Sequence, residues 1–330
     1  MILLTGATGF VGEHTLQQLL DKGYKVRAMY RNARLQGGHG QLKDIHHPHI
    51  DWQQGALSDI FKLEELLEGV ETVFHTAAFI SYDPRYREQL FETNIRGTAN
   101  LVNACLHAGV KRLVYVSSIA ALGDASEPGQ LIDEQASWKT DKSHSNYAIS
   151  KFMAENEVWR GMEEGLEVII VNPSVILGAG KVASGSNQLF RKIAEGMRFS
   201  SPGGTGFVDV GDVARAMIAL HEANIVNKRW VLNHLNLPYA QLFADMARVL
   251  GVAKPSFMPP RWLAEIGWRL NLLWAQLSGK QAFITRETVA SAYRLRQFGG
   301  TAITEALPAF RYTDWKKTLQ DGARSCRSVG

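Results

Sequence analysis

Tyr147 and Lys151 are the pair in this chain whose types and spacing point most directly to chemistry. They stand four residues apart in Asn146-Tyr147-Ala148-Ile149-Ser150-Lys151, so on a helix both side chains share one face. A free phenol titrates near pH ~10, and a neighbouring ammonium favours the phenolate, which brings proton exchange towards neutral pH. Upstream, Val114-Tyr115-Val116-Ser117-Ser118 reads as a buried strand ending in two hydroxyls. A hydroxyl at Ser118 can hydrogen-bond an oxygen on which charge develops. A Tyr and a Lys at this spacing are also common on ordinary helix surfaces, so the pair carries weight only if the rest of the chain positions it.

The first dozen residues supply that setting. Ile2 to Leu4 form a short apolar strand that breaks at Gly6 and restarts as a helix near Phe10, with Gly9 and Gly12 following at intervals of three. Gly6 permits the tight turn, Gly9 admits a pyrophosphate against the backbone, and Gly12 lets the helix pack close to the strand. The open N–H groups and positive end of the helix then face the anion. Thr8, Phe10 and Val11 lie on the same turn and are grouped with the glycines as cofactor-binding residues. The spacing is T-G-x-x-G-x-x-G rather than G-x-G-x-x-G. Its context is a strand before, an amphipathic helix after (Val11, Leu16, Leu19, Leu20), a stop at Gly23 and a second strand over 24–30.

Further strands are expected over 50–54, 72–76, 113–117 and 168–172, alternating with helices. That alternation predicts an α/β fold: a doubly wound, Rossmann-type parallel sheet with helices on both faces and ligands at the carboxyl ends of the strands. After the second strand no acid stands between Ala28 and Asn32 to bond ribose hydroxyls. Arg31, with Arg34 close behind, would instead pair with a 2′-phosphate, which favours NADP(H) over NAD(H). Ala77 and Ala78, after the fourth strand, leave room for the cofactor's ribose and phosphates. His75 just before them is expected to be a satisfied core histidine. The mechanism these positions imply is hydride transfer between a nicotinamide and a substrate carbon. Tyr147 is the general acid or base, Ser118 holds the oxygen, and Lys151 tunes Tyr147 and holds the ribose.

Composition bounds the alternatives. A chain of 330 residues can bury a full core and exceeds what nucleotide binding needs, so a second, substrate-shaping lobe is expected. With 45% hydrophobic and 21% charged residues it has a globular balance. The net charge of +4 comes without a dense basic run, so nucleic-acid binding is not expected. Two cysteines suggest no disulfide framework, and a start directly on a core strand leaves no room for a signal peptide; the expected location is the cytoplasm. Histidines crowd Gly37 to His49, but their spacing matches no closed zinc pattern, and no metal site is expected.

In combination these residues resemble the short-chain dehydrogenase/reductase superfamily in its extended form. The likeness runs over roughly residues 1–260. It rests on the Thr5-to-Gly12 turn, the Ser117-Ser118 strand end, Thr93-Asn94-Ile95-Arg96-Gly97-Thr98, Tyr147 with Lys151, Asn172 to Gly178, and Phe207 to Ala214. The resemblance implies that Ser118 is the catalytic serine and Ser117 structural, that Asn94 belongs to the active-site network, and that Pro173 to Val175 border the nicotinamide. Val171-Asn172-Pro173-Ser174-Val175-Ile176-Leu177-Gly178 looks like the dihydroflavonol-reductase and 3β-hydroxysteroid-dehydrogenase branch more than the nucleotide-sugar epimerases. Ser118-Ile119-Ala120 departs from the Thr and acids usual in dehydratases. Gly123 stands where plant dihydroflavonol reductases have a substrate-contacting Asn, so the flavonoid is not carried over. Ala56 stands where the family often has an acid for adenine, which leaves adenine to the Leu57 backbone and packing. A homodimer through two long helices near 91–109 and 147–164 is also implied.

The resemblance places residues 1–175 in a dinucleotide-binding domain, with 207–232 returning to it, and 176–206 plus 233–330 in a substrate-binding lobe. A substrate-covering loop is plausible over 182–206. Over 260–280, Leu263, Ile266, Leu270, Leu273 and Leu277 form one helical stripe too interrupted by Arg261, Glu265 and Arg269 to span a membrane. The stripe is expected to pack inside the smaller lobe; a lid over an apolar substrate, or a surface against membrane or partner, is the alternative. The reading is an NADP(H)-preferring oxidoreductase acting on a carbonyl or secondary alcohol of an apolar or bulky small molecule. An NAD-dependent nucleotide-sugar epimerase and a non-catalytic dinucleotide sensor are the other readings; the sensor is disfavoured because Tyr147 and Lys151 are both present.

Overall fold

The computed structural model describes residues 1–31, 47–125, 127, 129–139, 144–180, 185–279, 281–282 and 284–327. Arg34, the Gly37–Gly40 turn, His46 and the start of the expected covering loop at 182–184 lie outside the described residues. In chain order the strands are β1 (Ile2–Thr5), β2 (Val26–Tyr30), β3 (Ile50–Gln54), β4 (Thr72–His75), β5 (Arg112–Val116), β6 (Glu167–Pro173), β7 (Val175–Leu177), β8 (Gly204–Asp209), β9 (Lys228–Leu232) and β10 (Leu235–Pro238). The helices are α1 (Phe10–Asp21), α2 (Ile60–Leu67), α3 (Arg87–Leu90), α4 (Gly97–His107), α5 (Asn146–Glu163), α6 (Gln188–Ala194), α7 (Val210–Glu222), α8 (Tyr239–Leu250), α9 (Arg261–Ser278), α10 (Arg286–Ala292), α11 (Ala302–Ala306) and α12 (Trp315–Arg327).

Among the described residues, seven strands form one all-parallel sheet in the order β3-β2-β1-β4-β5-β6-β9. Such a sheet is covered on both faces, and its strands accordingly read as apolar runs. Alternation along the strands divides the core. Ile2, Leu4, Val114, Val116, Ile169 and Val171 face α1 and α7. Leu3, Val73, Leu113, Tyr115, Val168 and Ile170 face α2, α4 and α5. The strand order reverses between β1 and β4, and a crevice at such a reversal is where doubly wound sheets bind ligands.

The chain leaves the large sheet at Pro173 and enters a second sheet at Val175, where β7 pairs with β8 and β8 with β10. Ser174 makes the turn between them by bonding the Leu232 carbonyl through both its N–H and its hydroxyl. The β8 strand serves two cores: Val208 packs under α1 and α7, while Phe207 packs with Phe190, Leu242 and Met246 beneath α6, α8 and α12.

The α9 helix departs from the expected packing. Of its eighteen residues only Ala275 is buried. The helix and its apolar stripe are present, but Ile266, Leu270, Leu273 and Leu277 all face outward. Periodicity fixes which residues share a side, not which side the rest of the molecule covers, and that is where the expectation failed.

Candidate active site

The glycine turn has the geometry its spacing suggests. Gly6 takes a φ of +71°, and a Cβ there would lie 2.6 Å from the Ala77 amide nitrogen, so the loop after β4 rests directly on this turn. A Cβ at Gly12 would lie 2.0 Å from the Gly6 carbonyl oxygen, which is how closely α1 approaches the strand end. Gly9 is exposed, and it precedes α1 without any side chain capping the helix. An uncapped helix start behind an exposed glycine is a cradle for an anion. Thr8, Phe10 and Val11 are half-buried around it. Phe10 is covered from the far side by the turn at Gly180, and His14 Nε2 lies 2.9 Å from the Ala179 carbonyl. The residues present therefore fit the pyrophosphate of a dinucleotide.

Arg31 stands exposed at the carboxyl end of β2, its carbonyl accepting from Gln54 Nε2 at 3.1 Å. Ala77 is half-buried and Ala78 exposed beside Gly6. Leu57 has its side chain buried against Gly97, and its carbonyl accepts from Asn100 Nδ2 at 2.9 Å.

Ser145 caps α5 by accepting from the Ala148 N–H, which begins the helix one residue before Tyr147. Tyr147 is 8% exposed, and its ring meets that of Tyr82 edge-on at 5.6 Å between centroids. The Ser118 side chain lies near enough to its phenol to oppose the rise that burial causes. Ser118, just beyond β5, accepts from the Ala120 N–H at 3.1 Å. One turn along α5, Lys151 is buried and donates from Nζ to the Tyr115 hydroxyl at 2.7 Å and the Val116 carbonyl at 2.8 Å.

The electrostatics differ from the expected tuning. Burial pushes the Tyr147 phenol above its usual range, opposed only by the Ser118 side chain. Burial also pulls the Lys151 ammonium down to about 7, with Glu155 working against it. A low-dielectric pocket penalises both the phenolate and the ammonium, so burial keeps the phenol in its protonated form. His75 is a core histidine: Nδ1 lies 2.7 Å from Thr5 Oγ1, Nε2 lies 3.1 Å from Thr98 Oγ1, and burial, aided by Lys151, lowers it to about 3.

Asn94 is 2% exposed and spends its amide on neighbours. Oδ1 accepts from the Phe79 N–H at 2.8 Å, while Nδ2 donates to the Phe79 carbonyl and to Ser150 Oγ, both at 2.9 Å. It ties the loop after β4 to α5, where Ser150 lies between Tyr147 and Lys151. It lies in a π-helical turn over Phe91–Arg96, a wide turn often found at functional sites. Pro173 is buried at the end of β6, and Val175 is half-buried in β7.

Two groups of residues were missed from sequence. Glu155 continues the 147–151 face by another four residues and is buried. It accepts from Ser117 Oγ at 2.6 Å and from Asn172 Nδ2 at 2.8 Å, and pairs with Arg229 at 3.5 Å. The i+4 spacing was the available signal. Removing one partner from such a buried cluster strands the others. Glu155→Ala is therefore expected to cost about 3–5 kcal/mol, and Glu155→Gln clearly less, read as shifts in the urea unfolding midpoint. The second group lies across from Tyr147. Tyr82, Tyr239 and Glu287 are close enough to interact electrically, Ser291 lies near the Tyr239 phenol, and Glu287 accepts from the Asn146 N–H at 3.1 Å. Their distance along the chain from any motif left no sequence signal. Gly123 approaches another segment so closely that a Cβ would lie 1.7 Å from the Ser137 carbonyl, which leaves no room for the Asn of the flavonoid enzymes.

The chain is 31% identical over 266 residues to a Synechocystis protein provisionally named dihydroflavonol 4-reductase, covering 79% of this chain and 75% of that one. It is 30% identical over 267 residues to sterol demethylase protein B of Methylococcus capsulatus, covering 80% and 79%. The solved structure of gox2253 is similar with a TM-score of 0.83 and 29% identity, covering 100% of this chain and 98% of that one. These relationships make the protein an NAD(P)-dependent oxidoreductase. Residues 2–233 match the NAD dependent epimerase/dehydratase family, and the chain belongs to that family, the extended short-chain dehydrogenase/reductases, in the branch of the dihydroflavonol reductases and 3β-hydroxysteroid dehydrogenases.

Proposed function

We propose that the protein is an NADP(H)-preferring reductase of a carbonyl group on an apolar or bulky small molecule, the alcohol being the product. The carrying observation is the buried phenol of Tyr147 beside Ser118 at the carboxyl edge of the parallel sheet. When bound, the reduced nicotinamide supplies the hydride. Ser118 and Tyr147 together hold the substrate oxygen, and Tyr147 gives up its proton as negative charge builds there. A phenol raised by burial is protonated near neutral pH, the form from which it can donate in this step. Lys151, anchored by Tyr115 and the Val116 carbonyl, is positioned to replace the charge balance after the proton leaves.

In this reading Gly6, Thr8, Gly9, Phe10, Val11 and Gly12 hold the pyrophosphate, Arg31 the 2′-phosphate, and Ala77 and Ala78 the ribose side. Lys151 reaches the nicotinamide ribose, and Pro173 and Val175 border its ring. The segments 176–206 and 233–330 shape the substrate site around Tyr82 and Tyr239, two aromatic walls that suit an apolar substrate. The names of the two relatives, a flavonoid reductase and a sterol-processing protein, point the same way. The protein acts in the cytoplasm as a homodimer through α4 and α5.

A panel of ketones and aldehydes with NADPH, followed at the nicotinamide absorbance, tests the reaction; substrate turnover without net absorbance change would instead identify an epimerase. Cofactor preference has its own test. NADPH is expected to bind about tenfold or more tightly than NADH, and Arg31→Ala to erase the difference. A parent enzyme that prefers NADH in calorimetry would reject the 2′-phosphate role.

A further inference from the structure

The outward face of α9 is built against the usual rule for a surface helix. At 100° per residue, Trp262, Ile266, Leu270, Leu273 and Leu277 fall within an arc of about 80°. All of them are exposed, Trp262 by 64%, Leu270 by 61% and Leu277 by 88%. The opposite side is fastened to the body of the molecule: the Ala275 carbonyl accepts from Arg85 Nη1 at 3.2 Å, and Asn271 Oδ1 accepts from the Ile284 N–H at 3.1 Å. The helix is thus anchored with its apolar stripe pointing away. Just before the helix, Phe257 and Met258 are also about half exposed, and Phe257 meets the exposed Phe199 edge-on at 5.8 Å. A contiguous apolar surface of this size marks a place of contact.

Charge selects the kind of contact. Residues 251–300 carry seven Lys and Arg, among them Lys254, Arg261, Arg269 and Arg286, against two acids, Glu265 and Glu287. Of these, Lys254, Arg261, Arg269 and Arg286 are exposed, whereas Arg296 turns to the Gly123 carbonyl and pairs with Asp124. Glu265 is already engaged, bonded to Trp268 Nε1 at 2.9 Å and to Arg269 at 3.0 Å. A second copy of this chain, meeting the face symmetrically, would bring two such positive surpluses together. An anionic lipid surface offers the complementary charge, and a helix with an apolar row, a tryptophan at its head and cations alongside is the form that lies in a bilayer interface.

We infer that the outward face of α9, with Phe257 and Met258, docks the protein on an anionic lipid surface, the helix lying in the interface and not crossing it. No described helix is long and apolar enough to cross. The segment after the helix reaches the catalytic side, where Ala282 N–H donates to Asp83 and Gln281 to Ser81, the residues flanking Tyr82.

The test is cosedimentation of the full chain with vesicles of phosphatidylcholine alone or of phosphatidylcholine with phosphatidylglycerol. Binding is expected to the mixed vesicles, about tenfold or more weaker to phosphatidylcholine alone, and weaker as salt rises. A Leu270→Glu/Leu277→Glu double variant is expected to bind about a hundredfold less while keeping its unfolding midpoint and NADPH affinity. Lys254→Glu/Arg261→Glu, which leaves the apolar row intact, is expected to lose most of the preference for the anionic vesicles. A parent that stays in the supernatant overturns the inference. So does a double variant that binds like the parent, or a concentration-dependent dimer abolished by the double variant without any vesicle binding. Tyr147→Phe is expected to dock as the parent does, so a failure of the proposed reaction would leave this result standing.

Discussion

Tyr147→Phe is expected to lower kcat for NADPH-dependent carbonyl reduction by about a thousandfold, with NADPH affinity and the unfolding midpoint close to those of the parent. The ring can stay where it is, edge-on to Tyr82 at 5.6 Å, because the packing of Tyr147 is made by its carbons. What disappears is the one proton positioned against Ser118. Steady-state rates at the nicotinamide absorbance, with nucleotide binding measured separately, distinguish the loss of an acid from the loss of a site. A variant that turns over like the parent would remove Tyr147 from the chemistry. A variant that loses NADPH binding to the same degree as activity would reassign it to positioning.

Gly12→Ala is expected to cost about 3–5 kcal/mol of stability and to abolish nucleotide binding. The added methyl would sit 2.0 Å from the Gly6 carbonyl oxygen and 3.0 Å from the Ala7 Cα, both main-chain atoms. Neither can turn aside as the end of a side chain would. Moving α1 outward is the remaining relief, and that pulls Leu16, Leu19 and Leu20 from the core under α7. Gly267 is the matched control: it lies in α9, where an added Cβ would meet nothing within 4 Å. There the same exchange is expected to gain about 0.5–1 kcal/mol, the ordinary helix preference for alanine. Urea unfolding of both variants checks the contrast, and a mild Gly12→Ala would mean that the close approach of helix and strand is not needed.

The fold was legible because its signals are local. The β3 strand occupies the expected 50–54, α1 begins at Phe10 as the glycines require, and the strand-helix alternation translated directly into a parallel sheet. The 147–151 spacing likewise gave a shared helix face. The parts that were not legible are those decided by segments meeting across the chain. Glu155 is an unremarkable acid until Asn172 from β6 and Arg229 from β9 close on it. Lys151 shares the expected helix face with Tyr147, but its hydrogen-bond partners, Tyr115 and the Val116 carbonyl, come from thirty-odd residues earlier and carry no signal of that contact. Leu57 follows a strand at the ligand edge, yet its side chain turns inward because Gly97 on α4 leaves a space there. The α9 stripe was read correctly as a stripe and wrongly as an inner one. Tyr239, Glu287 and Ser291 became visible only once the C-terminal third had folded back over α5.

The π-helical turn at Phe91–Arg96 has a bearing on how this chain tolerates changes in length. Widening one turn takes up an additional residue, so everything from Gly97 onward is phased about 100° from where an unbroken α-helix would carry it. Leu101, Val102 and Cys105 owe their inward orientation to that offset. A single-codon deletion between 91 and 96 would restore regular winding locally while rotating α4 on its axis, lifting Gly97 from Leu57 and swinging Asn94 away from Phe79. A deletion in an exposed connection would be absorbed where it fell; here one lost residue would put the whole helix out of step.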